Sequence, residues 1–389
     1  MSLLGEYISK KMSAKDLEDE LLRLISEYNK KQNTYLFVYA SSFTKNIPDI
    51  PINMDDYFII NDLVRSVKSN KLDFYIESPG GSGEASEEIV KCLRDKFENV
   101  SFVVSGEAKS AGTILVLSGN DIYMSDSGSL GPIDAQVKIG RMIVSAYDYM
   151  EWVSSKQNEA QKFGKLNPFD ASMVAQISPG ELNGVYHALN FAMDLIKEWL
   201  PKYKFKNWSK TETRGIEVTE EYKKQRASEI AESLVNHSKW RTHGRSLKIK
   251  DLQELLQIIR IDDDPSLADI VYRIQTVIRL LFSTTSTYKL FATQDEKILR
   301  NAVAQVQTRN VPQLDKADVI ELDVDCPQCG IKHHLYGKFI NDPKIDADFS
   351  VKGKNSILSG DKIHCKCGFE IDIFGLRNDI ESKVGKKFV

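Results

Sequence analysis

Two small-residue turns constrain this chain most. Ser78-Pro79-Gly80-Gly81 closes an apolar run at 71–76, and Gly106-Glu107-Ala108-Lys109-Ser110-Ala111-Gly112 closes another at 100–104. Each turn then opens a helical pattern. Glycines at such places let the backbone approach a bound group or take a positive φ. Runs rich in β-branched and aromatic residues at 34–39, 71–76, 100–104 and 121–124 read as strands. They alternate with helical patterns at 53–67, 84–97 and 111–118. That alternation predicts β-α-β crossovers and a largely parallel sheet, hence an α/β fold. A strand running into a tight turn and an apolar helix holds a serine hydroxyl at the sheet's carboxyl end, beside free backbone N–H groups. Ser110 occupies that place and is the candidate nucleophile. Ala111 N–H is one candidate oxyanion donor, and Gly80 or Gly81 N–H the other.

The chain has 389 residues, more than one typical core accommodates. Ahead of the first strand, Leu17, Leu21, Leu24 and Ile25 share one face of a helix over 15–30. Beyond Met142 the pattern reads as helical, with helices predicted at 179–199, 220–235, 249–257 and 266–282. Residues 283–300 fit neither period. After Asn310-Val311-Pro312 short β-like pieces separated by Gly, Asp and Asn take over, so a boundary is expected near 318.

The formal charge of -3 gives no broad electrostatic reason to expect a nucleic-acid partner. Residues 1–31 are charged throughout, without the apolar core of a signal peptide. The longest apolar window, 270–282, is broken by Tyr272, Arg273, Gln275 and Arg279, short of the ~20 residues a membrane span needs. The expectation is a cytoplasmic chain without stable membrane insertion.

Four of the five cysteines form Cys326-Pro-Gln-Cys329-Gly330 and Cys365-Lys-Cys367-Gly368. Paired thiols followed by glycine make knuckles, and two knuckles supply a tetrahedral thiolate set suited to structural Zn²⁺. His333 or His364 is an alternative to one thiol. A closed four-ligand site leaves no position for zinc chemistry. Docking of a substrate or a regulatory partner is the expected role. Lysines at 332–366 suit nucleic-acid contact, but nearby acids dilute that signal. Cys92, alone in a helical pattern, reads as a small buried apolar group.

The turns also resemble a known family. Ile76-Glu-Ser-Pro-Gly-Gly-Ser-Gly83 is similar to the turn of the ClpP-type proteolytic subunit and of signal peptide peptidase A. Gly106-Glu-Ala-Lys-Ser110-Ala-Gly-Thr-Ile-Leu115 resembles the segment where those proteins hold the catalytic serine. Ser129-Leu-Gly-Pro-Ile-Asp134-Ala-Gln136 and His243-Gly-Arg245 resemble the serine dehydrogenase proteinase (SDH) branch. The resemblance covers residues 15–285. Separately, the cysteine knuckles resemble a zinc ribbon, giving a small β-rich zinc-ribbon-like domain at 318–389. The family resemblance implies a ClpP/crotonase-like β-α-β spiral core with helical additions, in a protease domain at 1–317 with its catalytic core about 30–200 and a helical extension at 200–317. It implies a serine endopeptidase acting on protein or peptide substrates through an acyl-enzyme, and a homo-oligomer. The alternative is a crotonase-fold scaffold without peptidase chemistry, which binds through the zinc module.

The general base divides the family reading. No histidine stands between Ser110 and His187, so the Clp histidine position is empty. Signal peptide peptidases use a lysine some forty to fifty residues beyond the serine. That spacing points to Lys162 first, Lys165 second and Lys156 third, each needing desolvation or a nearby cation to serve as a base. Lys109, next to the nucleophile, is expected to point away from it. Asp134 is a candidate orienting residue or a turn cap. His187 and His243 are fallback bases, and a structural role beside Gly244 is the preferred reading of His243.

Overall fold

The computed structural model describes residues 2–139, 141–211, 215–302, 318–360, 362–384 and 386–389. The Asn310-Val311-Pro312 turn lies outside them. By their contacts the residues form two compact units. One comprises Leu22–Gln275 with Phe291–Ile298; the other comprises Met1–Leu21, Thr276–Leu290 and Leu299–Val389.

The first unit is built on strands β1 (Tyr35–Ser41), β2 (Lys71–Glu77), β3 (Asn99–Val104) and β4 (Ile122–Met124). All pair in parallel, in the order β1-β2-β3-β4. Parallel neighbours need crossovers, and the helices α1 (Met54–Val64) and α2 (Gly83–Lys96) supply the first two. The strands are buried on both faces, which is why they read as largely apolar runs, interrupted by the buried Asp73 and Ser101, rather than as alternating ones. Register sets a row of rings across the sheet. Phe37 stacks on Phe74 at 5.2 Å, and Phe74 lies 5.5 Å from Phe102. Helix α3 (Ala111–Leu117) is buried at every position, so it runs through the core and fixes the turn before it.

Two features depart from the sequence reading. Residues 142–145, where the pattern reads as helical, instead form strand β6 (Met142–Ser145), which pairs antiparallel with β5 (Gln136–Ile139). Apart from the buried Ser145 its side chains are half-buried or exposed, and each strand is only four residues long. The helix expected over 249–257 is only Ile249–Leu252. Elsewhere α4 (Ala146–Phe163), α5 (Pro168–Val174), α6 (Pro179–Trp199) and α7 (Glu220–Val235) follow their caps. Ser145, Asn167, Ser178 and Thr219 each accept a hydrogen bond from a first-turn N–H. A short strand β7 (Ile259–Arg260) adds in parallel to β4.

In the second unit β8 (Val319–Asp325) pairs antiparallel with β9 (Lys332–Lys338), and β10 (Lys362–His364) with β11 (Glu370–Asp372). Their core gathers Ile320, Leu322, Val324, Leu335, Ile371 and Ile373 with two of the cysteines. This is the β-rich module expected beyond 318. Among the described residues no helix is long and apolar enough to cross a membrane.

Candidate active site

Ser110 stands between β3 and α3 with φ 48° and ψ −115°, and its hydroxyl does not cap the helix. A non-glycine residue pays for such a conformation with strain, which persists only where surrounding structure enforces it. Here the enforcement is visible. Lys109 N–H donates to Ser78 O at 2.9 Å and Ser78 N–H to Glu107 O at 2.8 Å, lacing the two glycine turns together. Ile52 N–H donates to Gly80 O, and Ser82 N–H to Ile52 O. Gly80, at φ 103°, lies so close that a Cβ on it would come within 2.7 Å of Ser110 Cβ. Gly81, at φ 151°, would meet Ile52 at 2.3 Å.

The backbone donors are now distinguishable. Gly80 N–H is occupied by Ser78 Oγ at 3.2 Å. Gly81 and Ala111 N–H have no acceptor among the described residues and border the same cleft as Ser110. That cleft, about 710 Å³, has Gly80, Gly81, Ser110 and Ala111 on one side. Opposite stand Gly184, His187 and Phe191 of α6, with Ile133, Gln136 and His243 completing the rim.

His243 is the ionisable group whose surroundings are most ordered. Its Nδ1 lies 2.9 Å from Asp134 Oδ1, and Asp134 is fully buried. The second carboxylate oxygen accepts from Gln136 Nε2 at 3.0 Å. A buried carboxylate is tolerable only when so satisfied, and it can only accept. A neutral imidazole facing this carboxylate carries its proton on Nδ1, which leaves Nε2 as an acceptor.

The lysines expected from spacing stand elsewhere. Lys162 is exposed on α4 with its Nζ 5.2 Å from the Phe163 ring. Lys165 is exposed just past Gly164, the left-handed residue that ends α4. Neither borders the cleft. Lys156 pairs with Asp170 at 2.6 Å and Glu159 at 3.0 Å, and both hold its pKa above the ordinary value, the wrong direction for a base. By sequence His243 is only a fallback base, because 109 residues separate it from Asp134 and nothing local pairs them. The available signal was the pair of motifs, Leu-Gly-Pro-Ile-Asp and His-Gly-Arg, read together.

Residues 50–222 match the family described as ClpP-like SDH-type serine proteinase. Over these residues the chain is similar to that family. The matched segment contains Ser110, both glycine turns and Asp134, and ends before His243. Two uncharacterised proteins of Methanocaldococcus jannaschii are similar to the chain. MJ0137 is 26% identical over 207 residues, 52% of this chain and 68% of that protein. MJ1495 is 30% identical over 66 residues, 17% of this chain and 23% of that protein. The matches thus span about two thirds of the first relative and under a quarter of the second. Two solved forms of the 1510-N membrane-bound stomatin-specific protease, one with a substrate peptide, resemble the chain at 13% and 14% identity. Both have a TM-score of 0.32 and cover 54% of this chain, with 74% and 70% of their own.

The cysteines converge in the second unit. All four Sγ atoms lie within 4.8 Å of one another, with Cys326–Cys367 at 3.7 Å and Cys329–Cys365 at 3.5 Å. Four thiolates about one Zn²⁺ at ~2.3 Å stand about 3.8 Å apart, so the set fits the ion. Each hairpin brings one knuckle. Gly330 N–H donates to Cys326 O and Gly368 N–H to Cys365 O, both at 2.9 Å, with φ 71° and 89° at the glycines. The Cys-x-Cys half closes its turn one residue sooner and still presents both sulfurs. His364 is exposed and turned to Glu370 at 3.6 Å. His333 stands beside the Cys365 thiol, while the close set of ligand atoms among the described residues is the four sulfurs.

Proposed function

We propose that the chain is a serine peptidase with Ser110 as nucleophile, His243 as general base and Asp134 as its orienting partner. The arrangement of His243 supports this most: an imidazole on the rim of the Ser110 cleft, its Nδ1 held by a buried carboxylate. Nε2 then accepts the Ser110 proton as Oγ attacks a peptide carbonyl. Gly81 and Ala111 N–H groups stabilise the resulting oxyanion, and His243 returns the proton to the leaving amine. Water repeats the sequence on the acyl-enzyme and releases the second product. A peptide substrate is in keeping with the SDH-type family match. The Ser/Lys dyad is the second reading. It needs α4 to bring Lys162 or Lys165 into the cleft.

A fluorophosphonate probe tests the proposal. Folded chain is expected to label once, at Ser110, and Ser110→Ala to abolish labelling. Folded protein that does not label would count against any acyl transfer here and favour the scaffold reading.

Gly80→Ala probes the close approach of the two turns. The added Cβ must displace Ser110 Cβ or Lys109 O, 2.8 Å away, and also takes an unfavourable φ. The labelling rate is expected to drop about a hundredfold, the usual penalty for displacing a reacting group by ~1 Å. Active-site titration of the folded variant measures it.

The zinc module is proposed as a docking element held together by Cys326, Cys329, Cys365 and Cys367. It takes no chemical part at Ser110.

A further inference from the structure

Lys109 precedes the nucleophile yet is turned away from the cleft and is only 6% exposed. Its Nζ reaches Ser246 Oγ at 2.8 Å, Leu130 O and Arg245 O at 3.2 Å, and Ser129 Oγ at 3.3 Å. Among the described residues no carboxylate pairs with it. Burial pulls its pKa below the ordinary lysine value; Glu107 partly opposes this and Lys248 adds to it. A buried ammonium held only by neutral dipoles loses its hydration, and its hydrogen bonds must offset that loss. Packing alone would be better served by a methionine of similar volume.

The four partners explain the expense. Ser129 and Leu130 begin the segment that ends in Asp134, and Arg245 and Ser246 follow His243 by two and three residues. The Lys109 backbone binds Ser78, at the head of the Gly80-Gly81 turn. One residue thus bonds to the turns beside Ser110 and to the segments holding the acid and the base. Even Gly131 fits: a Cβ there would stand 2.9 Å from Lys109 Cδ, so the glycine of Leu-Gly-Pro-Ile-Asp leaves room for the lysine stem.

We infer that Lys109 is a positioning residue, whose ammonium fixes the His243 loop and the Asp134 segment against the strained Ser110 turn. It touches no substrate. The inference rests on the Ser110–His243 reading. The fold has its own link between the same segments, since Leu130 and Leu247 exchange hydrogen bonds at 3.0 and 2.9 Å. Losing the ammonium should loosen the alignment rather than unfold the chain.

The test measures the fluorophosphonate labelling rate per folded molecule across pH. Lys109→Met is expected to lower it about ten- to a hundredfold and to flatten its pH profile. In a His243→Ala background the same change should cost little more, because both act through one base. A residue that only stabilises the fold would reduce the folded fraction and leave the rate per folded molecule and its pH profile unchanged. That result, or a loss fully additive with His243→Ala, overturns the inference. If Lys109→Met does not fold, Ser246→Ala decides. Ser246 is exposed, and a several-fold slower rate supports the clamp while a wild-type rate refutes it. Absence of labelling in the wild type removes the Ser110 reading and this inference together. Normal Ser110-dependent labelling with an unaffected Lys109→Met removes the inference alone.

Discussion

His243→Ala and Asp134→Asn are expected to lower kcat on a peptide substrate by about a thousand- to ten-thousandfold, or ~4–5.5 kcal/mol of transition-state stabilisation. Lys162→Ala and Lys165→Ala should leave it within about twofold. The two large losses have different physical origins. Alanine at 243 removes the proton acceptor itself. Asparagine at 134 keeps the volume of a fully buried side chain but can present an NH2 group to Nδ1, which then has to be the unprotonated nitrogen. The proton moves to Nε2, and the base faces Ser110 in the wrong tautomer. Circular dichroism and thermal melting must show both variants folded, since an unpaired polar group at a buried site costs ~1–3 kcal/mol of stability. Because the groups act as a unit, the double variant should be hardly slower than His243→Ala alone. If Lys162→Ala or Lys165→Ala produces the large loss instead, α4 must rearrange during catalysis and the base assignment fails.

The parallel core was legible because its physics is local. Strands buried on both faces give largely apolar runs, and the turns at 78–81 and 106–112 need glycine for stated backbone reasons. Ser110 as candidate nucleophile, the candidate oxyanion glycines and the cysteine knuckles all sit within short motifs, so sequence alone brings their parts together. The geometry at Asp134 and His243 is of another kind. Their contact closes a loop of 109 residues, and no periodicity encodes which distant histidine returns to a given carboxylate. Lysine spacing offered a substitute, drawn from family likeness rather than from the side chains' surroundings. The surroundings point the other way: Lys156 is held by Asp170 and Glu159, and Lys162 faces solvent. The β5–β6 pair escaped for a related reason. Each strand spans only four residues, so even the alternation of Gln136–Ile139 is too short to stand out as a period of two.

Cys326→Ser and Cys365→Ser are expected to abolish stoichiometric zinc, read by elemental analysis of purified protein as a fall from one ion per chain to none. These are the two buried thiols, and they sit within the module's apolar core. That core is small and draws on two hairpins, β8–β9 and β10–β11. Thiolate coordination would tie the knuckle of one to the knuckle of the other. Structural zinc binding of this kind is linked to folding by on the order of 10 kcal/mol, more than so few apolar side chains can replace. Limited proteolysis should therefore cut the variants within 318–389 under conditions where the wild type resists. A chelator should reproduce the pattern. Ser110 labelling should survive in the fragment that remains, because Ser110, Asp134, His243 and Lys109 all belong to the unit formed by Leu22–Gln275. Full protease resistance without metal would mean that the thiols are packed rather than ligated. Loss of labelling along with the zinc would instead make the module a regulator of the serine, and the docking role would have to be given up.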